Sequence, residues 1–176
     1  MLECIYFFII GAFAGWLLEC AFRYVAGHLD KSPGILNTPF CILYGLGTLV
    51  LSTVISRITT NSAILFLLSA AVLTLMEYVT YILLRDVYGL KLWDYSNMTF
   101  RLDEKVCLEF SLIWGTLGML YIKYLLPVLK GFFYAAKGPT LIFSIYLLFG
   151  IIFVDLIYSN YKLLRSKKMY TVKING

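Results

Sequence analysis

Five apolar runs alternate with polar connections along this chain, at residues 5–22, 40–56, 63–84, 106–129 and 140–161. At about 1.5 Å of helix rise per residue, each approaches or exceeds the length needed to span a hydrocarbon core of roughly 30 Å. The pattern predicts an all-α fold, a polytopic membrane helix bundle of about five transmembrane helices over residues 1–161, followed by a basic cytoplasmic tail at 162–176. The connections differ in character. Residues 27–38 are polar and carry a Ser32-Pro33-Gly34 turn, residues 57–62 are short, and residues 85–105 are long and charged. The long connection also contains Leu90, Leu92, Trp93, Tyr95, Met98 and Phe100, too apolar for a free linker, so it is expected to lie in the interface or fold back on the bundle.

Composition reinforces this reading. The chain is 61% hydrophobic and 14% charged, with a mean hydropathy of +0.83, whereas soluble domains carry about 25% charged residues. The first run follows the start methionine without a basic segment, and Glu19 and Cys20 stand where a small-residue cleavage site would be sought, so no cleaved signal peptide is expected. Cys4, Cys20, Cys41 and Cys107 lack the short paired spacing of zinc or redox sites and read as small reduced core residues.

Basic residues orient the bundle, because Lys and Arg are retained on the cytoplasmic side. With the N-terminus out and the C-terminus in, the inside set is Arg23, Lys31, Arg85, Lys91, Arg101, Lys105, Lys162, Arg165, Lys167, Lys168 and Lys173. Only Arg57, Lys123, Lys130 and Lys137 then fall outside. The net charge of +5 therefore needs no nucleic-acid partner. The basic tail is explained by anionic membrane lipid, at roughly 1 kcal/mol per basic residue near the surface.

Three acids fall inside apolar runs: Glu19, Glu77 and Asp155. A charge near the bilayer centre costs about 2.5–3.5 kcal/mol even on lenient insertion scales, so such side chains are expected to face the bundle interior. Glu77 lies about 12 Å along the helix from Arg85 and has no base within a turn. Glu19 has Arg23 one turn later, in the favourable acid-before-base order, and reads equally well as an ion pair or as a site residue. Asp155 reads as part of a helix end with Asn160 and Lys162. The predicted orientation puts all three in the cytoplasmic half, where one inward-facing polar site could collect them.

Gly11 and Gly15, and Ser111, Gly115 and Gly118, form small-residue stripes that let helices approach closely. Two segments are more specific. Asn37-Thr38-Pro39 opens the second run, which then carries Tyr44 between Cys41 and the glycines Gly45 and Gly47. Trp93-Asp94-Tyr95-Ser96 leads into a fourth run in which Cys107, Ser111, Trp114 and Gly115 share one helix face by three- and four-residue spacing. Trp93 and Tyr95 are expected to fold back over the cytoplasmic mouth and carry Asp94 close to Glu19, Tyr44 or Glu77; the alternative is that Asp94 caps a short turn with Ser96 or Asn97.

In this ordered set the chain resembles the ABC-transporter type IV permease-like membrane proteins of bacteria. The resemblance rests on Gly15-Trp16 with Glu19, Asn37 with Pro39, Tyr44-Gly45-Leu46-Gly47, Glu77-Tyr78, Trp93-Asp94-Tyr95-Ser96, and Ser111 with Trp114-Gly115, over residues 5–127. It departs from the family at Thr38, where Gly is common before the Pro, and at residues 100–105. The resemblance implies a bacterial inner-membrane location and transport, and supplies neither a substrate nor a cofactor.

On the transport reading, Glu19, Asn37, Tyr44, Glu77, Trp93, Asp94, Tyr95, Ser111 and Trp114 line a ligand or ion pathway, with Glu19 and Glu77 responding to a cation or proton. The chain has no phosphate-binding loop. Any ATP-driven version needs a separate ATPase subunit docked on residues 85–105, and so few spans suggest a homo-oligomer. A second reading is an intramembrane enzyme acting on a lipid or isoprenoid, with Glu77 as general base and Asp94 as an acid, base or ligand to Mg²⁺. Against it, His28 is the sole histidine and sits in a loop, and no Ser, His and acid constellation is present. An accessory or sensory subunit is the third reading.

Overall fold

The computed structural model describes residues 1–25 and 33–174. His28, Lys31 and the first half of that connection, residues 27–32, lie outside the described residues. Five helical stretches match the five runs: α1 (Leu2–Val25), α2 (Ile42–Ile58), α3 (Ser62–Tyr88), α4 (Leu108–Ala136) and α5 (Pro139–Ile174). Helices α1, α3, α4 and the Pro139–Ser166 part of α5 are long and apolar enough to cross a membrane. Helix α2, at 17 residues, is about 25 Å long and falls short of a full hydrocarbon core on its own. The backbone of α5 continues into the basic tail, so residues 162–174 extend that helix instead of forming a separate segment.

Local chemistry sets the helix ends. Asn61 caps α3 by accepting hydrogen bonds from the Ala63 and Ile64 amides at 2.9 and 3.3 Å. At the other end Gly89 takes φ +69°, and the Gly89 and Leu90 amides return to the Arg85 and Leu84 carbonyls, closing the helix as glycine does when a left-handed residue is required. Pro139 occupies the first position of α5, where a missing N–H is harmless.

The helices associate as two antiparallel pairs, α1 with α2 and α3 with α4. Small residues permit each approach. A Cβ on Gly15 would fall 2.1 Å from Tyr44 Cγ, and one on Gly118 only 2.4 Å from Ser69 Cβ. Midway along, α2 and α4 each contain a π turn, at Leu51–Ile55 and Tyr121–Leu125. The two turns meet through Ser52 Oγ and Tyr121 Oη at 2.7 Å. Ser52 also bonds back to the Thr48 carbonyl, a pattern that bends helices.

Two apolar clusters hold the pairs together. Leu51, Ile55, Leu65 and Ile122 pack between α2, α3 and α4. Ile9, Ala12, Leu36, Phe40, Phe133, Ile145 and Ile152 join α1, the segment before α2, the end of α4 and α5. The outer surface is apolar as well, with Phe143 and Val154 each about two-thirds exposed, as a lipid-facing surface requires.

The long connection folds back on the bundle. Residues Arg101–Leu102 (β1) pair antiparallel with Val106–Cys107 (β2), in the register Arg101 to Cys107 and Leu102 to Val106. The fourth apolar run therefore begins as a strand, and its helix starts at Leu108.

The helix contacts generate a test. Gly118→Ala is expected to lower stability by about 1–3 kcal/mol through overpacking against Ser69. At Gly131, where an added carbon meets nothing within 4 Å, Ala should raise stability by roughly 0.8–1 kcal/mol through helix propensity. Thermal melting in detergent compares the two variants, and equal melting temperatures would contradict the close packing of α3 on α4.

Candidate functional site

Glu77 lies on the inward face of α3 and is 4% exposed. Both of its oxygens are engaged by neutral donors: Tyr95 Oη donates to Oε1 at 2.7 Å, and Trp114 Nε1 donates to Oε2 at 3.0 Å. Trp114 comes from α4, while Tyr95 comes from the long connection. Tyr95 is buried, rests against the Phe110 ring at 4.9 Å between centroids, and is held through its amide by the Glu104 carbonyl at 3.1 Å.

A second carboxylate lies one aromatic contact away. Glu19 on α1 accepts from Tyr44 Oη at 2.9 Å, with Arg23 Nε at 3.7 Å, one turn along the helix. The Tyr44 ring meets Trp114 edge to face at 5.5 Å. Glu19, Tyr44, Trp114, Glu77 and Tyr95 thus form one connected network, contributed by all four helices of the two pairs and the folded-back connection.

The network closes one end of a cavity of about 570 Å³ between α1, α2, α3 and α4, within the size range of ligand pockets. Tyr44, Glu77 and Trp114 line that end, and Tyr121, Tyr124 and Leu125 the other. From Trp114 to Leu125 the cavity follows α4 for about 16 Å. Between its ends the wall is largely apolar, with Thr48 turned to the Phe7, Tyr44 and Gly45 carbonyls, and Gly11, Gly15, Gly47 and Gly118 lie along it.

The other expected site residues fall elsewhere. Asp94 does not join the carboxylates: it pairs with Lys91 at 2.8 Å and accepts from the Ser96 amide at 2.8 Å on an exposed turn. Its neighbours Trp93 and Tyr95 both turn toward the protein, and so short an extended stretch sends the residue between them outward. Lys91 and the Ser96 donors hold the Asp94 carboxyl down to about 2. Trp93 packs edge to face on Tyr81 at 5.8 Å and donates to the Lys105 carbonyl at 3.0 Å. Ser111 uses its hydroxyl on the carbonyl of Cys107, the residue just before its own helix, at 2.9 Å.

Asn37 belongs to a separate cluster with Asp155. Asp155 Oδ1 accepts from Asn37 Nδ2 at 2.8 Å and Ser159 Oγ at 3.1 Å, and Oδ2 accepts from the Thr38 amide at 2.7 Å and Thr38 Oγ1 at 2.6 Å. Asp155 is therefore a clasp for the segment entering α2. It is not paired with Asn160 or Lys162, because backbone and side-chain donors brought from that segment satisfy it in the interior.

Sequence reasoning did not single out Glu104, which accepts from Tyr81 Oη at 2.7 Å and from Lys91 at 2.5 Å. Lys91 first, and Tyr81 after it, hold its carboxyl below the ordinary range. Thr38 and Ser159 also went unnoticed as Asp155 ligands. No group of three or more His, Cys, Asp or Glu side chains among the described residues converges as a metal site.

These features define a polytopic helical membrane protein with a carboxylate buried between its helices at the end of an apolar cavity. Residues 6–160 match the model of the family described as "putative ABC-transporter type IV", and the chain belongs to that family. The match runs beyond the motif-bearing stretch and into α5. No curated protein and no solved structure matches the chain.

The contrast between the two aspartates is testable. Asp155→Ala removes the charged acceptor shared by Asn37 and the two Thr38 donors at a part-buried place and is expected to cost about 1–3 kcal/mol. Asp94→Ala should leave the melting temperature unchanged. Denaturation of both variants in detergent measures this, and equal losses would contradict the distinction between clasp and surface turn.

Proposed function

We propose that this chain is the membrane-spanning component of a transporter in the bacterial cytoplasmic membrane, with its N-terminus outside and residues 85–105 and the tail in the cytoplasm. Its ligand or ion pathway is the cavity, and Glu77 is the principal polar group, with Tyr95 and Trp114 as its donors and Glu19 with Tyr44 beside it. The observation that carries the reading is the Tyr95 to Glu77 hydrogen bond at 2.7 Å. It joins the folded-back connection directly to a buried acid, so displacement of that connection alters the surroundings of the acid.

A separate ATPase subunit docking on the β1–β2 hairpin would use this link to couple nucleotide turnover to the cavity. Trp93, Asp94, Lys91 and Glu104 then serve to stiffen the docking segment, and assembly with a second copy of the chain completes a pathway for which a single bundle is small. An intramembrane enzyme acting on a lipid or isoprenoid is the alternative that the apolar cavity supports.

Arg101 is exposed at the hairpin, and a photo-crosslinking residue placed there in intact cells tests the proposal. An adduct with a nucleotide-binding subunit is expected. Its absence, with the chain properly inserted and adducts formed only with itself or with lipid, would count against the transporter reading.

A further inference from the structure

The ligand of this cavity can be narrowed by charge and shape, on the reading that the cavity is the transport pathway. Three observations bear on it. Glu77 has two neutral donors and no Lys or Arg among the described residues in an ion pair with it. Glu77 is the acid that lines the cavity, no Lys or Arg among the described residues lines it with Glu77, and Arg23 is paired with Glu19 at 3.7 Å instead. The aromatic rings of Tyr44 and Trp114 line the cavity beside Glu77, and beyond them toward Tyr124 the lining is largely apolar, with the Thr48 and Tyr121 hydroxyls taken up by Phe7, Tyr44, Gly45 and Ser52.

A buried carboxylate needs a cation or further donors to be comfortable as an anion, and aromatic surface favours organic cations over hydrated metal ions. An anionic head group such as a phosphate would instead meet the Glu77 carboxylate, with no Lys or Arg among the described residues that line the cavity. The largely apolar stretch of about 16 Å accommodates an extended hydrocarbon chain and offers few partners to a polar ligand of that length.

We infer that the cavity binds a cationic amphiphile, with its ammonium group at Glu77 beside Tyr44 and Trp114 and its hydrocarbon chain lying along α4 toward Leu125. The Glu77 carboxylate supplies the counter-charge, the aromatic pair supplies cation–π contact, and the leucine-rich walls, Leu51, Leu73, Leu117 and Leu120 among them, admit the chain. Head and tail are recognised by different parts of the protein, and each can be removed separately.

The test is calorimetric titration of the full purified chain in neutral maltoside micelles with three probes: dodecyltrimethylammonium, dodecyl phosphate and tetramethylammonium. Saturable binding of dodecyltrimethylammonium is expected, about tenfold or more tighter than dodecyl phosphate, with tetramethylammonium weaker still. Glu77→Gln should remove the preference for the cation, and Leu117→Trp, which fills the cavity away from the head group, should weaken both alkyl probes. Equal or tighter binding of dodecyl phosphate to the wild-type chain would overturn the inference without needing any variant. Tetramethylammonium binding as tightly as the alkyl cation would overturn the role of the cavity. Loss of the cation preference in wild type while an ATPase adduct forms at position 101 rejects the ligand class and leaves the transporter reading intact. A strong cation preference without that adduct supports the ligand class and rejects the transporter reading.

Discussion

A carboxylate held inside a helix bundle in lipid must find its hydrogen-bond donors within the protein, and the arrangement of this chain follows from how Glu77 meets that requirement. One donor comes from the neighbouring helix, Trp114, and the other from outside the bundle, Tyr95. The second choice has structural consequences. To bring the Tyr95 hydroxyl to Glu77, the connection after α3 must turn back, and the Tyr95 to Glu104 backbone bond, the short hairpin and the Lys91 ion pairs keep it there. A segment rich in charge becomes part of the interior at a single side chain.

The same economy of polar groups explains the rest of the bundle. Asp155 ties the entrance of α2 to α5 through Asn37, Thr38 and Ser159, and Ser52 with Tyr121 joins the two π turns. Between these polar links the helices approach through glycine. The contacts of Gly15 on Tyr44 and Gly118 on Ser69 draw each antiparallel pair together, while the space between the pairs remains as the apolar cavity. Close approach within pairs and separation between them are two results of one distribution of small residues.

Much of this was legible in the sequence, for identifiable reasons. The helices were readable because apolar runs in lipid have a minimum length, and Glu77 stood out because nothing basic lay within a turn of it. Tyr44, Trp114 and Tyr95 were named from their motifs, and their convergence with Glu19 and Glu77 follows from antiparallel packing that the small-residue stripes already suggested. Other features depended on contacts far apart in sequence. Asp155 and its Thr38 partner are separated by 117 positions, so its local neighbours Asn160 and Lys162 gave a misleading context. Asp94 goes to the turn with Ser96 and not to the carboxylates, because the side of the chain on which it emerges is fixed by the inward turn of Trp93 and Tyr95. Glu104 gave no signal, since a charged residue in a charged loop looks the same whether or not a tyrosine from α3 reaches it.

The account depends on the Tyr95 and Glu77 side chains acting as a unit, and a double-mutant cycle measures that directly. Reversible unfolding in detergent of Tyr95→Phe, Glu77→Gln and the double variant gives the coupling between them. A hydrogen bond in so buried a place predicts that the double variant loses about 1–3 kcal/mol less than the two single losses combined. Losses that add to within about 0.5 kcal/mol would mean that the connection is not anchored through Glu77, and would contradict the link between the folded-back segment and the interior.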